Sequence, residues 1–101
     1  MRAWVNVLVP FEEDIEKATK ALEEACLYIQ TNNESVVDGP SLLGITELEG
    51  SFIRFSIVAY CKADTQWSVE RDIRKIVVDK FNEENISIPY PRKVIVGGNE
   101  N

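Results

Sequence analysis

Few residues in this chain could do covalent or acid-base chemistry. Carboxylates are dense at Glu12, Glu13, Asp14 and Glu16, and Glu23-Glu24 follow. Paired carboxylates can move protons or hold a divalent cation. A solvated helix start is the commoner origin of such a run, because the helix dipole favours negative charge there. Two cysteines, Cys26 and Cys61, lie far apart, each within an apolar pattern and neither in a CxxC. Two reduced, buried thiols are the commoner arrangement; a single bridge between them is also compatible with the sequence. The 101 residues contain no histidine. That removes a Ser-His-Asp triad, a Cys-His dyad and a His-ligated zinc. The sequence offers no catalytic constellation, no metal site and no cofactor site.

Charge narrows the partners. Eleven Lys and Arg stand against 17 Asp and Glu, a net charge of −6. Phosphate backbones are bound through Lys and Arg, so nucleic acid is not an expected partner. Apolar runs such as Val7-Leu8-Val9-Pro10 and Ile57-Val58-Ala59-Tyr60 are short, whereas a membrane span needs about 20 apolar residues. Arg2 leads into a strand-like segment interrupted by Asn6, so no secretory signal is expected at this start. The length fits one domain.

The elements follow from periodicity. Residues 3–9 alternate, with Ala3, Val5, Val7 and Val9 on one face and Trp4, Asn6 and Leu8 on the other. This is a strand ended by Pro10. Residues 12–30 switch to helical spacing, with a stripe of Ile15, Ala18, Leu22, Ala25, Cys26 and Ile29. Glu12, Glu13 and Asp14 are expected in the first turn. Gly39-Pro40 reads as a turn before a second strand, Ser41 to Leu48, and Glu49-Gly50 as a tight connection. Phe52 to Cys61 alternates most clearly, and the short link predicts an antiparallel hairpin. Asp64 is the expected N-cap of a second helix buried through Val69, Ile73, Ile76, Val77 and Phe81. Asn85 follows that helix, where tolerance of a left-handed conformation is wanted. Ile86 to Val96 is extended, and 97–101 is a polar tail expected to be disordered.

The order β-α-β-β-α-β predicts an α+β ferredoxin-like sandwich over residues 1–96, two helices on one face of a four-stranded antiparallel sheet. That fold hosts unrelated functions, so the sites must decide. A metal chaperone of this fold needs cysteines in the first strand-helix loop, and an acylphosphatase needs glycines and an Arg there. Val9-Pro10-Phe11-Glu12-Glu13-Asp14 supplies neither. An RNA-recognition module stacks bases on outer-face aromatics of the first and third strands. Trp4, Phe52 and Tyr60 occupy such positions, but Glu49 stands where a basic residue is expected and the net charge opposes it. Trp4, Leu8, Phe52, Val58 and Tyr60 are better explained as an apolar patch for a protein contact.

One segment is more specific. Asn85-Ile86-Ser87-Ile88-Pro89-Tyr90-Pro91-Arg92 closely resembles the GIS-apolar-PYP segment of the small-conductance mechanosensitive channel family. Asn85 replaces the usual Gly, a mild change because Asn also tolerates positive φ. Val7-Leu8-Val9-Pro10-Phe11-Glu12-Glu13-Asp14-Ile15 resembles the family's V-x-V-x-Y-D-x-D start of the first helix, with Phe11 for Tyr and Glu12 for the first Asp. The hairpin Leu48-Glu49-Gly50-Ser51-Phe52 matches in place and spacing. The resemblance spans residues 3–96. It implies a domain of a larger channel whose membrane helices and β-domain are not part of this sequence. Seven copies would build a hollow vestibule on the cytoplasmic face of the cell membrane, and the parent would release ions and solutes on osmotic downshock. The apolar patch would then contact a neighbouring subunit or the β-domain, and Glu12, Glu13 and Asp14 would bias ion access at the portals. The family's tail can form a small closing barrel; here Gly97-Gly98 interrupts the extended part. The competing reading is a free-standing ferredoxin-like binding module for RNA or a small regulatory molecule.

Overall fold

The computed structural model describes residues 1–87. β1 (Arg2–Pro10) is followed by α1 (Ile15–Asn32), β2 (Val36–Glu49), β3 (Phe52–Cys61) and α2 (Gln66–Glu83). The sheet is antiparallel with the order β1-β3-β2, so β3 is central. The chain is thus α+β with two helices and three strands among the described residues. The expected fourth strand, at 86–96, lies almost wholly outside them.

Alternation sets which faces are buried. Ala3, Val5, Val7 and Val9 of β1 pair across to Ala59, Ile57, Phe55 and Ile53 of β3, and all eight are buried. The helices close over them with Ala18, Leu22, Ala25, Cys26 and Ile29 from α1, and Val69, Ile73, Val77 and Phe81 from α2. Ile15 and Ile76 are only partly buried at the edge of this core. Phe55 and Phe81 are its largest members, each contributing about 1.5–3 kcal/mol by leaving water. α1 lies toward β2, and α2 toward β1.

Four local expectations change. α1 begins at Ile15, not Glu12: Glu13 N–H donates to Pro10 O in a turn, and Asp14 caps the helix by accepting from Lys17 N–H at 3.1 Å. Gly39-Pro40 lies inside β2, which starts at Val36; the pairing to β3 skips register between Asp38 and Ser41, and that irregularity absorbs the pair. Gly39 sits at φ +88, and a Cβ there would lie 3.1 Å from Ser41 N and 3.2 Å from Val58 O. Asp64 is not the cap of α2. It takes a left-handed conformation (φ 66) in a turn closed by Thr65 N–H on Lys62 O, and Thr65 holds the cap position. Lys80, expected in solvent with Arg71, Arg74 and Lys75, is half-buried. At the other end of α2, Asn85 has φ 59, the left-handed geometry its type favours.

Candidate functional site

Two regions carry the candidate residues: the sheet face away from the helices, and the β1–α1 loop with the chain that leaves α2.

Even-numbered residues of β1 and β3 point to the outer face. Register pairs Arg2 with Tyr60, Trp4 with Val58, Asn6 with Ser56, Leu8 with Arg54 and Pro10 with Phe52. All five proposed contact residues therefore share one face. Trp4 is 38% exposed and Tyr60 49%, while Leu8, Phe52 and Val58 are half-buried. They do not form one continuous patch. A polar row crosses the middle of the sheet. Trp4 Nε1–H donates to Asn6 Oδ1 at 2.8 Å, Ser56 Oγ donates to the same oxygen at 2.8 Å, and Thr46 Oγ1 lies 2.8 Å from Ser56 Oγ. The row is satisfied internally, which explains how Ser56 is buried to 1% exposure without cost.

The row leaves two apolar clusters. One holds Trp4, Val58 and Tyr60, with the Arg2 guanidinium 5.3 Å from the Trp4 ring centroid. That cation–π contact flattens the Arg stem over the ring. The other holds Leu8 and Phe52 beside Arg54, which is paired with Glu47 at 3.2 Å and with Glu49. Alternation made Asn6 and Ser56 visible on this face. The share of Thr46 and Glu47 was not legible, because β2 shifts register four times against β3.

The acidic loop is mostly engaged. The Asp14 carboxylate is the helix cap, and Glu13 Oε2 accepts from Ser87 N–H at 3.1 Å. Glu12 is exposed. Glu13 thus ties the loop to the chain that follows α2. Upstream, Ile86 N–H donates to Phe81 O at 2.8 Å and Ile86 is buried to 4%. Asn85, Ile86 and Ser87 therefore reverse the chain, seal the end of α2 and lead it past Glu13. Pro89, Tyr90 and Pro91 lie outside the described residues. Burial pushes the Cys26 thiol up to about 11, and nearby Glu23 adds to the shift. Cys61 is buried too, and both thiols are free. Among the described residues no group of His, Cys, Asp or Glu converges as a metal site, and no helix is long and apolar enough to cross a membrane.

Comparison with known proteins fits this architecture. The family described as "Mechanosensitive ion channel MscS, C-terminal" matches residues 4–88. A small-conductance mechanosensitive channel of Caldanaerobacter subterraneus subsp. tengcongensis is 36% identical over 96 residues, covering 95% of this chain and 34% of that protein. An uncharacterized MscS family protein of Synechocystis is 27% identical over 85 residues, covering 84% and 28%. The chain thus spans roughly a third of the length of these relatives. In fold it is similar to the closed-state crystal structure of MscS from Helicobacter pylori, with TM-score 0.69 and 23% identity over 89% of this chain and 35% of that one. It is also similar to MSL1 of Arabidopsis thaliana, with TM-score 0.62 and 11% identity, covering 89% and 34%. With a family match over residues 4–88 carried on a matching fold, the chain belongs to the MscS mechanosensitive channel family and corresponds to its C-terminal domain.

Proposed function

We propose that this chain forms part of the wall of a cytoplasmic vestibule, in a channel that releases ions and solutes when osmotic downshock raises membrane tension. The observation that carries the reading is the family match over residues 4–88. In this reading residues 1–96 form one four-stranded ferredoxin-like unit, seven copies surround a common axis, and the membrane is reached only through other parts of the parent protein. The role is structural, with packing surfaces in place of reacting groups.

The two regions then take separate tasks. The outer-face clusters, Trp4-Val58-Tyr60 and Leu8-Phe52, are contacts with a neighbouring subunit or domain. Two apolar spots flanking a satisfied polar row fix register as well as affinity, since a shifted partner would meet the row with apolar atoms. At the loop, Glu12 is the free charge. Glu13 and Asp14 keep their charge while bonded to main-chain N–H groups, so all three contribute to the local field. Seven copies at −6 each repel at low salt, so the assembly is tighter once salt shortens the Debye length to about 10 Å.

The test uses the full-length parent channel. Replacing Glu12, Glu13 and Asp14 with Lys should move the reversal potential in asymmetric salt toward anions. An unmoved reversal potential removes the ion-filtering role. Loss of protection from downshock in cells carrying Tyr60→Asp with Phe52→Asp, alongside a smaller complex on native gels, supports the contact role. Full-sized complexes from that variant refute it.

A further inference from the structure

β1 is an edge strand among the described residues, and its free edge is not uniform. Trp4 N–H donates to Glu70 Oε2 at 3.0 Å, away from β3. In an antiparallel ladder a residue's N–H and C=O point the same way and the direction alternates along the strand. The main-chain groups of Asn6 and Leu8 therefore point to the same side as those of Trp4. Pro10, next in that series, has no N–H to offer. The free edge is thus capped at Trp4, blank at Pro10 and open at Asn6 and Leu8.

A groove of about 260 Å³ runs along that open stretch, lined by Val5, Val7 and Leu8 of β1 and by Arg74, Val77 and Val78 of α2. It is mostly apolar, and α2 forms its far wall. Open strand edges invite pairing and are normally covered.

We propose that the occupant is this chain's own segment Arg92-Lys93-Val94-Ile95-Val96, added antiparallel to β1 over the Asn6–Leu8 edge. Three observations support that occupant. First, direction: α2 runs alongside β1 from Glu70 near Trp4 to Val77 near Val7, and the chain then leaves at Ser87 beside Glu13, just past the end of β1. To travel further along the sheet it must turn back along the β1 edge. A right-handed crossover from β3 through α2 gives the same placement. Second, length: the nine residues 88–96 reach about 30 Å when extended, enough to run the length of the nine-residue β1. Third, composition: Arg92 and Lys93 would lie near Glu12, Glu13 and Asp14, and the β-branched Val94-Ile95-Val96 would meet the apolar groove. The placement rests on the four-stranded reading of residues 1–96 and is independent of the channel role.

Amide hydrogen exchange by NMR on the 101-residue chain tests it. Asn6 and Leu8 N–H should exchange at least tenfold more slowly than unstructured amides, with cross-strand contacts to residues 92–96. In Val94→Pro or Ile95→Pro, whichever removes the N–H that faces β1, that protection should vanish while Val5 and Val7, bonded to β3, keep theirs. Unprotected Asn6 and Leu8 in the unaltered chain would overturn the proposal. So would protection that survives both proline variants, or that fades on dilution, which would mean a second copy in the groove. Contacts from 92–96 to β2 would overturn the placement and leave the four-stranded reading standing; no strand at 92–96 would remove both.

Discussion

The polar row across the outer face should behave as one energetic unit, and a double-mutant cycle on Asn6 and Ser56 measures it. Asn6→Ala removes the acceptor shared by Trp4 Nε1–H and Ser56 Oγ. Trp4 is exposed enough to donate to water instead. The Ser56 hydroxyl, buried to 1%, keeps only its contact with Thr46. One buried bond is lost, so the expected cost is about 1 kcal/mol. Ser56→Ala removes the same bond from the other side and also the Thr46 contact. Thr46 is exposed and has Arg54 O at 3.4 Å as a weak alternative. That variant should cost about 1–2 kcal/mol. The two variants share the Asn6–Ser56 bond, so the double variant should cost less than their sum, with a coupling of about 1 kcal/mol. Urea unfolding of the 101-residue chain, read by Trp fluorescence and far-ultraviolet circular dichroism, supplies the four free energies. Each kilocalorie corresponds to roughly 4–8 °C of Tm in a domain of this size, so a thermal scan gives an independent check. Costs that add to within about 0.3 kcal/mol would refute the reasoning, because two directly bonded groups cannot be independent.

Other outcomes follow from the same coordinates. Phe81→Ala empties a fully buried position against Ile86 and should cost about 3–5 kcal/mol in chemical denaturation, a large part of the ~5–15 kcal/mol a domain this size has. Asp14→Ala loses the bond to Lys17 N–H and should lower stability by about 1 kcal/mol, with faster amide exchange confined to the first turn of α1. For Cys26 the folded pKa is raised above the unfolded value by burial and Glu23, so the thiol stays neutral in the folded chain. Stability is then flat with pH below the unfolded value and falls as pH rises from 9 toward 11, where only the unfolded chain readily ionises. The companion measurement is thiol labelling at pH 8, which should be slow when folded and fast in denaturant.

The sheet and both helices were legible because burial here follows simple periods. β1 and β3 alternate without interruption, and every odd residue from Ala3 to Val9 and from Ile53 to Cys61 is in the core. What was not legible depended on local backbone choices. Gly39-Pro40 carries a turn signature, yet register skips in β2 let it sit within a strand. Asp64 has the side chain of a cap, but its left-handed backbone passes the cap position to Thr65. The outer-face patch was read from apolar residue types, which locate Trp4, Leu8, Phe52, Val58 and Tyr60 correctly on one face. Its division by Asn6, Ser56 and Thr46 needed the strand register, which a bulged strand does not reveal in advance. In the acidic loop the charge was plain in the sequence. The tie from Glu13 to Ser87 spans 74 positions, and no local pattern could show it.

β3 is the only strand with a neighbour on both sides, and its two neighbours hold it in different ways. β1 pairs with it in unbroken register over nine residues, whereas β2 shifts four times. β2 also exposes Val37, Leu43, Ile45 and Leu48. The molecule is therefore graded in cooperativity: β1, β3 and the helix core form a unit that opens only with global unfolding, and β2 can detach at lower free energy. Mechanical or thermal stress should peel the sheet from the β2 side first. A domain of this build can let one margin give way while its centre keeps its shape.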